Sequence, residues 1–389
     1  MNFEFAAPGR IIFGPGTLCE AGSIAVSLLG NVRKGKAMLV TGVSTTRPDR
    51  LTAILAKHDV EFVTLPVTGE PTVEMVRTAV DRAIVADCRM IISIGGGSAI
   101  DAGKAIAAMI TNGGNPLEFL EVIGQGKPLA RPPLPVVAIP TTAGTGAEVT
   151  RNAVLASPAH RVKVSLRSPM MLPRLALVDP ELTYELPPAL TASTGMDALT
   201  QLIESYVSVR ANPITDGLCR EGIMRAARSL RKACAQGDSA SAREDMALAS
   251  LLSGLALANA GLGAAHGISA PLGGMFTAPH GAVCAALLPH VMTVNIDALR
   301  RRDPEAESLG RYDEIARLLT SKATAVAADG IRWVADLRRG LAIPTIGAYG
   351  VQSSDVPTLV ENAMKASSTK GNPIALTPDE VGAIITAAL

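Results

Sequence analysis

Short apolar runs alternate with helical patterns through the first half of the chain. Five runs are predicted as strands, at residues 37–41, 59–66, 90–94, 134–139 and 175–178. Residues 73–87 repeat apolar positions at helical spacing. Strands separated by helices of roughly 10–15 residues are typical of a parallel sheet with both faces covered. We therefore predict an α/β domain over residues 1–183.

The pattern changes after two consecutive prolines, Pro187 and Pro188. Apolar residues then recur at helical spacing almost throughout, and strand-like runs of β-branched residues are not found. Helices are predicted at residues 190–208, 216–235, 241–260, 311–319 and 324–341. The most apolar window, residues 246–265, contains serine, asparagine and glycine, which favours a buried helix over a membrane span. We therefore predict an all-helical domain over residues 184–389.

Chain length and composition support two folded domains. The 389 residues exceed the roughly 250–300 that a single hydrophobic core organises. Hydrophobic residues make up 48% and charged residues 18%, a balance that favours a folded chain over a disordered one. Because aromatic residues are only 3%, the apolar mass comes from aliphatic side chains, as in buried helices and parallel strands.

Charge and cysteine content argue against several classes of protein. Lys and Arg (36) balance Asp and Glu (35), and no basic run stands out, so nucleic-acid binding is not expected. The N-terminus has no basic segment followed by a long apolar stretch, so no signal peptide is predicted. The five cysteines are scattered and form no C-x-x-C, which argues against a disulfide framework and against a zinc–thiolate site. We interpret them as small buried hydrophobic residues of a cytoplasmic protein.

A glycine-rich turn links the strand at residues 90–94 to a helix. Gly95, Gly96 and Gly97 allow a ligand close to the backbone, and Ser98 is expected to cap the helix. Free N–H groups at a helix N-terminus suit a pyrophosphate. The same glycines also suit an ordinary tight turn between strand and helix.

A second polar loop follows the strand at residues 134–139. Its hydroxyl groups, on Thr141, Thr142 and Thr145, are able to hydrogen-bond a nucleotide. Both loops leave the carboxyl ends of strands, where ligands bind in open α/β sheets. The spacing matches neither G-x-G-x-x-G nor a phosphate loop of the Walker A type, which indicates a different nucleotide site.

Candidate metal ligands lie in the helical half. Asp197 and Gln201 are four residues apart on one predicted helix face. Three of the five histidines, His266, His280 and His290, fall within 25 residues. Two imidazoles, a carboxylate and the Gln201 amide oxygen would suit a divalent metal with an open position for a substrate oxygen. Histidines so far apart in sequence are also often ordinary hydrogen-bonded groups.

Together these segments resemble the iron-containing, or group III, alcohol dehydrogenase family, over nearly the whole chain. The resemblance implies a Rossmann-like N-terminal nucleotide domain, an all-helical C-terminal domain and an active site in the cleft between them, an architecture shared with dehydroquinate synthase. It implies hydride transfer between NAD(P) and an alcohol or aldehyde. The matching stretches are residues 13–17 (FGPGT), 95–98 (GGGS), 140–145 (PTTAGT), 195–199 (GMDAL), 211–215 (ANPIT), 279–281 (PHG), 288–291 (LPHV) and 370–373 (KGNP), with Asp101, Lys104, Glu148 and Thr377.

The resemblance also implies roles for individual residues. The cofactor would be bound by Gly42, Gly96, Gly97, Ser98, Asp101, Thr141, Thr142, Thr145 and Lys163. Asn152 would lie near the nicotinamide and the substrate, and His280 would serve catalysis as a metal ligand. The metal, Fe²⁺ or Zn²⁺, would be held by Asp197, His266 and His280, with Gln201 as the candidate fourth ligand.

Three positions depart from the family pattern. Gln201 stands where most metal-dependent members have histidine, which should weaken iron binding and leads either to a zinc site or to loss of metal. Ala270 stands where many alcohol dehydrogenases have a second histidine, so the proton would pass through water, the cofactor ribose or another side chain. Gly42 replaces an Asp that repels a 2′-phosphate, and with the hydroxyls of residues 44–46 and Arg47 nearby we expect NADP to bind at least as well as NAD.

Three other functions stay open at this point. The first is a metal-independent carbonyl reductase of the maleylacetate reductase type, against which the retained Asp197, His266 and His280 weigh. The second is a lyase or cyclase of the dehydroquinate synthase type, but the region 266–290 has no Lys or Arg for a substrate phosphate. The third is a non-catalytic nucleotide-binding relative. We also expect a homodimer or larger oligomer, with residues 37–41 able to pair across chains.

Overall fold

The computed structural model describes residues 2–30, 35–44, 46–160 and 162–389. These residues form two compact units. An α/β unit comprises Ala6–Thr142 and Gly146–Tyr184. A helical unit comprises Glu185–Leu389, the short segment Ala143–Thr145 and the N-terminal residues through Phe5. The predicted fold class, a parallel α/β half followed by an all-helical half, is confirmed.

The described part of the α/β unit contains eight strands and five α-helices. The strands are β1 (Ile11–Phe13), β2 (Lys36–Thr41), β3 (Phe62–Pro66), β4 (Cys88–Gly95), β5 (Val136–Pro140), β6 (Asn152–Ser157), β7 (Val162–Arg167) and β8 (Leu175–Val178). The helices are α1 (Ala21–Leu29), α2 (Thr46–Lys57), α3 (Val73–Val85), α4 (Gly97–Asn112) and α5 (Pro116–Phe119). Six strands form a parallel sheet in the order β1-β8-β5-β4-β2-β3, and β6 and β7 pair antiparallel.

Alternation along the central strands builds a core on each face of the sheet. On β2, Met38 and Val40 belong to one hydrophobic cluster, whereas Ala37 and Leu39 belong to the other. Successive side chains point to opposite faces, and both faces are covered by helices. A strand buried on both sides therefore reads as a continuous apolar run, which explains the correct prediction of β2, β4, β5 and β8. The fifth predicted strand, β3, lies at the edge of the sheet and is partly exposed along its length.

Two strand features were not predicted. The three-residue β1 is too short for a visible pattern, and β6 and β7 alternate buried with partly exposed residues away from the main sheet.

The expected cross-chain pairing of residues 37–41 is wrong, because β2 lies inside the sheet with β3 on one side and β4 on the other. The predicted strand at 59–66 begins only at Phe62, after Asp59 adopts a left-handed backbone conformation.

The described residues of the helical unit contain nine α-helices. They are α6 (Pro188–Val207), α7 (Pro213–Ala235), α8 (Ala240–Ala260), α9 (Ala264–Met275), α10 (His280–Arg302), α11 (Glu307–Thr320), α12 (Ala327–Gly340), α13 (Val356–Lys365) and α14 (Pro378–Ala388). Two matched stretches of the sequence are helix starts: Asn212 caps α7 together with Thr215, and Thr377 caps α14.

One helix among the described residues, α10, is long and apolar enough to cross a membrane, but 78% of its apolar window is buried inside the protein. The helices α8 and α9 pass the same test only as a pair, and they are bent by 99° at their junction. Burial of this extent is typical of core helices. The predicted apolar window 246–265 thus contributes to the core of the helical unit.

Candidate active site

The glycine turn lies between β4 and α4. Gly96 is the N-cap residue of α4, and among the described residues no side chain caps this helix. The expected capping role of Ser98 is therefore wrong, since Ser98 lies one residue inside the helix. The N-terminus of α4 therefore receives no side-chain capping hydrogen bond, which suits an anion such as a pyrophosphate.

Gly42 and Gly95 bring two strand ends into close contact. β2 and β4 are neighbours in space although the chain visits β3 between them, so the strand order reverses here. A Cβ atom on Gly42 would lie 3.3 Å from Gly95 Cα, and one on Gly95 would lie 2.6 Å from Ala99 Cβ. Gly95 therefore has no room for a side chain, and Gly42 has room only if its neighbour shifts slightly. Ligands of open α/β sheets bind at such a reversal point.

The second loop lies beside the glycine turn. Thr141 N donates to Gly95 O at 2.9 Å, and a Cβ atom on Gly96 would lie 3.4 Å from the Thr142 side chain. The structure thus brings Thr141 and Thr142 to the predicted phosphate site. Thr145 belongs instead to the helical unit, where its carbonyl oxygen accepts a hydrogen bond from Gln201 Nε2 at 3.5 Å.

A buried polar cluster on α4 is bonded to the second loop. Lys104 Nζ lies 2.8 Å from Asp101 Oδ1 and donates to Ala147 O and Thr150 Oγ1. Asp101 Oδ2 accepts from Val154 N at 2.9 Å, which ties β6 to α4. The carboxylate predicted to contact the cofactor is therefore bonded to protein groups, and a cofactor contact by Asp101 stays a prediction.

Asn152 and Lys163 lie on the β6–β7 hairpin. Asn152 Nδ2 is 3.5 Å from Ser165 Oγ, and Lys163 Nζ is 3.1 Å from Glu70 Oε1. The register pairs Asn152 with Arg167 and Lys163 with Ala156, so the two residues are about 13 Å apart along the hairpin. They therefore serve different parts of a ligand if both contact it.

Four side chains from three helices converge in the helical unit. Asp197 lies on α6, His266 on α9, and His280 and Cys284 one turn apart on α10. One ligand atom from each of the four lies within 4.8 Å of the others. Asp197 Oδ1 is 3.3 Å from His266 Nε2 and 3.7 Å from His280 Nε2, and Cys284 Sγ is 3.7 Å from His280 Nε2. This set is called the His–Asp–Cys cluster below.

Local packing fixes the two histidines. Glu204 accepts from Ala265 N at 2.6 Å, and its other oxygen is 2.6 Å from His266 Nδ1. This contact directs His266 Nε2 toward Asp197, as outer carboxylates do for metal-binding histidines. A Cβ atom on Gly281 would lie 2.1 Å from Ser193 O, so glycine is needed for α10 to approach α6 this closely.

The predicted fourth ligand, Gln201, is bonded to other groups. Its Oε1 accepts from Ser253 Oγ at 2.8 Å, and its Nε2 donates to Thr145 O at 3.5 Å. A hydrogen bond from the Gln201 side chain also helps to lower the pKa of Asp197. Gln201 lies on the same helix face as Asp197, as its spacing predicts, but with its amide nitrogen rather than its oxygen toward the carboxylate.

The clustered groups shift one another's pKa values. Burial raises the pKa of Asp197, but His280 and His266 outweigh it and hold this pKa below its ordinary value. Burial lowers the pKa of His266, yet Cys284, Glu204 and Asp197 raise it well above its ordinary value. Attraction to Cys284 raises the pKa of His280 to about 9. Burial raises the pKa of Cys284, but the two imidazoles bring it down to about 7.

Cys284 is the site residue that sequence reasoning missed. The interpretation of all cysteines as buried hydrophobic residues is wrong for Cys19, which is exposed, and is incomplete for Cys284, which faces two imidazoles. One signal was present: Cys284 follows His280 by four residues in a helical segment, so the two share a face. Nothing in the spacing showed that the face also meets His266 and Asp197.

Comparisons with known proteins match both halves of the chain. The family model described as iron-containing alcohol dehydrogenase matches residues 8–180, and the C-terminal model of the Fe-containing alcohol dehydrogenase family matches residues 191–389. The chain is 37% identical to alcohol dehydrogenase 4 of Schizosaccharomyces pombe over 99% of this chain and 89% of that protein. It is 35% identical to the 1,3-propanediol dehydrogenase of Klebsiella pneumoniae over 98% of this chain and 97% of that protein.

A solved structure agrees over the full length. The crystal structure of a 1,3-propanediol oxidoreductase superposes with a TM-score of 0.92 and 34% identity, covering 100% of both chains. Fold and sequence therefore point to the same group of enzymes.

Proposed function

The chain belongs to the iron-containing alcohol dehydrogenase family, and from that premise we propose that it interconverts an alcohol and an aldehyde by means of a divalent metal held by Asp197, His266 and His280. Oxidoreduction of alcohols with NAD(P) follows from the family. The observation that carries the site assignment is the convergence of these three side chains from three helices.

The donor set fits a divalent cation. A buried carboxylate and two imidazoles face one another, and His266 is oriented by Glu204 from behind. The His280 side chain is 41% exposed, so the cluster has one side that a small molecule is able to reach. A metal bound there would polarise the alcohol or carbonyl oxygen of the substrate. Asp197 supplies negative charge for the cation. The contact with Glu204 keeps Nε2 of the buried His266 directed toward it.

In the α/β unit, the glycine turn and the adjacent loop form the proposed cofactor site. The N-terminus of α4 attracts the pyrophosphate, and Gly95 and Gly96 keep side chains out of its way. Thr141 and Thr142 place hydroxyl groups beside that turn. Bound NAD(P) would accept or supply the hydride. Because residue 270 is alanine, a proton would leave through water, the cofactor ribose or another side chain.

The enzyme assay uses the full-length protein with NADH or NADPH, a panel of aldehydes and elemental analysis of the purified protein. Replacement of His280 by Ala should abolish metal binding and lower kcat/KM by about 100-fold or more, since even outer-sphere changes cost about 10–100-fold in metal affinity or activity. His290→Gln is the matched control, because His290 lies on the same helix outside the cluster. Full metal occupancy in His280→Ala would contradict the assignment.

The preference for NADP is a separate part of the proposal, supported by Gly42. In this position an Asp would place a carboxylate at the end of β2, where it would repel a 2′-phosphate. Of the residues expected near the 2′-phosphate, Arg47 lies in the first turn of α2. Thr45 lies outside the described residues. Kinetics with both cofactors should show that NADP is used at least as well as NAD.

A pair of variants separates charge from size in that preference. Gly42→Asp should shift the ratio of kcat/KM values toward NAD, whereas Gly42→Asn adds a similar volume without the charge and should leave the ratio nearly unchanged. Both side chains must be accommodated 3.3 Å from Gly95, so both variants carry the same strain. A strong NAD preference in the unmodified protein would contradict the idea.

Metal identity, assembly and location complete the proposal. Fe²⁺ and Zn²⁺ both suit two imidazoles and a carboxylate, and elemental analysis distinguishes them.

A homodimer or larger assembly is supported by β1, whose outer edge is unpaired among the described residues. Light scattering coupled to chromatography measures the mass. A cytoplasmic location is supported by five free thiols and is checked by fractionation.

A further inference from the structure

The His–Asp–Cys cluster holds a fourth side chain, Cys284, beside the three proposed metal ligands. We propose that Cys284 Sγ is itself a ligand of the metal, so that the centre is a His₂–Asp–Cys site that favours Zn²⁺ over Fe²⁺. The inference rests on the metal centre proposed above. It adds the thiolate as a ligand and the metal preference as its consequence.

The distances match those between ligands of one tetrahedral ion. With Zn–S near 2.3 Å and Zn–N and Zn–O near 2.0 Å, adjacent ligands of a tetrahedral site are about 3.6 Å apart for S and N and about 3.3 Å apart for N and O. In the structure Cys284 Sγ is 3.7 Å from His280 Nε2, and Asp197 Oδ1 is 3.3 Å from His266 Nε2. Asp197 Oδ1 is 3.7 Å from His280 Nε2, and all four ligand atoms lie within 4.8 Å of one another, so binding of a tetrahedral ion would draw the more widely spaced atoms closer.

The helix geometry explains why the thiol reaches the same point as the imidazole. His280 is the first residue of α10 and Cys284 follows one turn later, so both side chains lie on the face that meets α6 and α9. Cys284 is fully buried, whereas the His280 side chain is 41% exposed. The thiol therefore lies on the inner side of the centre. With these four protein ligands the tetrahedral shell of zinc is filled, so a substrate oxygen would enter from the His280 side as a fifth ligand.

Charge and ligand softness both favour zinc. One carboxylate and one thiolate together neutralise a divalent cation, and coordination releases the thiol proton to solvent. Thiolate is a soft ligand that zinc accepts readily, and zinc also exceeds iron(II) in intrinsic affinity for mixed sites. The neutral amide at residue 201, in place of the usual histidine, removes an imidazole that would have supported iron.

The competing arrangement uses Gln201 as the fourth ligand. In the structure its amide oxygen accepts from Ser253 Oγ and its amide nitrogen faces Thr145 O. Ligation by this oxygen would require the amide to turn and to give up the bond to a fully buried serine. Cys284 needs no such exchange, since its sulfur already contacts His280.

The test measures metal coordination directly. The full-length protein is stripped with a chelator and titrated with Co²⁺, whose bond to a thiolate gives a near-ultraviolet charge-transfer band. The variants are Cys284→Ser, Gln201→Leu, His280→Ala and the control Cys219→Ser, which replaces another fully buried helical cysteine. Zinc-edge X-ray absorption of the unmodified, zinc-loaded protein provides a readout that needs no variant.

The expected result is a thiolate band that is lost in Cys284→Ser and kept in Cys219→Ser and Gln201→Leu. Zinc affinity should fall about 100-fold or more in Cys284→Ser. Changes outside the ligand shell already cost about 10–100-fold, and loss of a direct ligand should cost at least as much as the largest of them. X-ray absorption should show one sulfur at about 2.3 Å from zinc. Should Cys284→Ser fail to fold, the X-ray absorption measurement alone decides the question.

Two results would overturn the proposal in distinguishable ways. Cobalt binding without a thiolate band, or zinc with only nitrogen and oxygen neighbours, would exclude Cys284 and leave the Asp197, His266 and His280 centre intact. Unchanged cobalt affinity in His280→Ala would exclude the metal centre itself.

Discussion

Replacing the buried carboxyl group of Glu148 by an amide should change how the stability of the α/β unit depends on pH. Glu148 lies in the second loop and is only 2% exposed. Burial raises its pKa from 4.5 to about 7, although a hydrogen bond from its own backbone N–H and attraction to Lys104 lower it in part. A carboxyl group with a raised pKa stabilises the folded protein only while it is protonated.

The magnitude follows from the size of the shift. Between pH 4.5 and about 7 the folded protein holds a proton that the unfolded chain has lost, so the free energy of unfolding falls as the pH rises through this window. Each pH unit contributes about 1.4 kcal/mol, which gives about 3 kcal/mol over the whole window. Glu148→Gln removes this loss. Relative to the unmodified protein, the variant should gain about 3 kcal/mol between acidic and mildly alkaline pH.

Urea unfolding of both proteins across this pH range measures the effect. The nearby Asp101, whose pKa burial also raises, is present in both proteins and cancels in their difference. The control is Glu61→Gln, whose carboxylate is 71% exposed and ion-paired with Lys36, so its change should stay within about 0.5 kcal/mol at every pH. A difference between Glu148→Gln and the unmodified protein that is independent of pH would refute the reasoning.

Three further changes test other contacts. Gly281→Ala should destabilise the helical unit by about 1–3 kcal/mol and weaken metal binding, because its Cβ would lie 2.1 Å from Ser193 O; urea unfolding and metal titration measure both effects. Asp179→Ala should destabilise the α/β unit by about 2–4 kcal/mol in urea unfolding, because the buried carboxylate accepts from the buried Leu18 N and from the half-buried Gly16 N and Glu181 N, which would lose their partner. Gln201→His should raise Fe²⁺ affinity by about tenfold or more in metal titration, since it adds an imidazole beside the cluster.

Each of these predictions has an outcome that contradicts it. Unchanged metal affinity in Gly281→Ala would mean that α10 does not need its close approach to α6. Asp179→Asn is the control for Asp179→Ala, because its amide oxygen is still able to accept part of the hydrogen bonds and should recover part of the stability. Unaltered iron affinity in Gln201→His would place residue 201 outside the reach of the metal.

The spacing of apolar residues predicted two kinds of element: strands that are buried on both faces, and helices that are buried on one face. Continuous apolar runs marked the inner strands, and helical spacing marked the helices of the second half. The β6–β7 hairpin escaped prediction because its alternation is short and half exposed. The family motif predicts that Asp101 contacts the cofactor, and this stays a prediction. Its bonds to Lys104 and to Val154 N on β6 could not be predicted, because they join residues brought together only by the tertiary fold.

The sequence by itself determined the two-part fold class, the glycine turn, the second polar loop and three of the four members of the His–Asp–Cys cluster. Local patterns carry that information, because turns and helix faces depend on neighbouring residues. Only the tertiary structure decided that Cys284 joins the cluster and that Gln201 turns its oxygen to Ser253. Asp197 and Cys284 are 87 positions apart in the sequence, and their meeting depends on how α6, α9 and α10 pack, which no local spacing records.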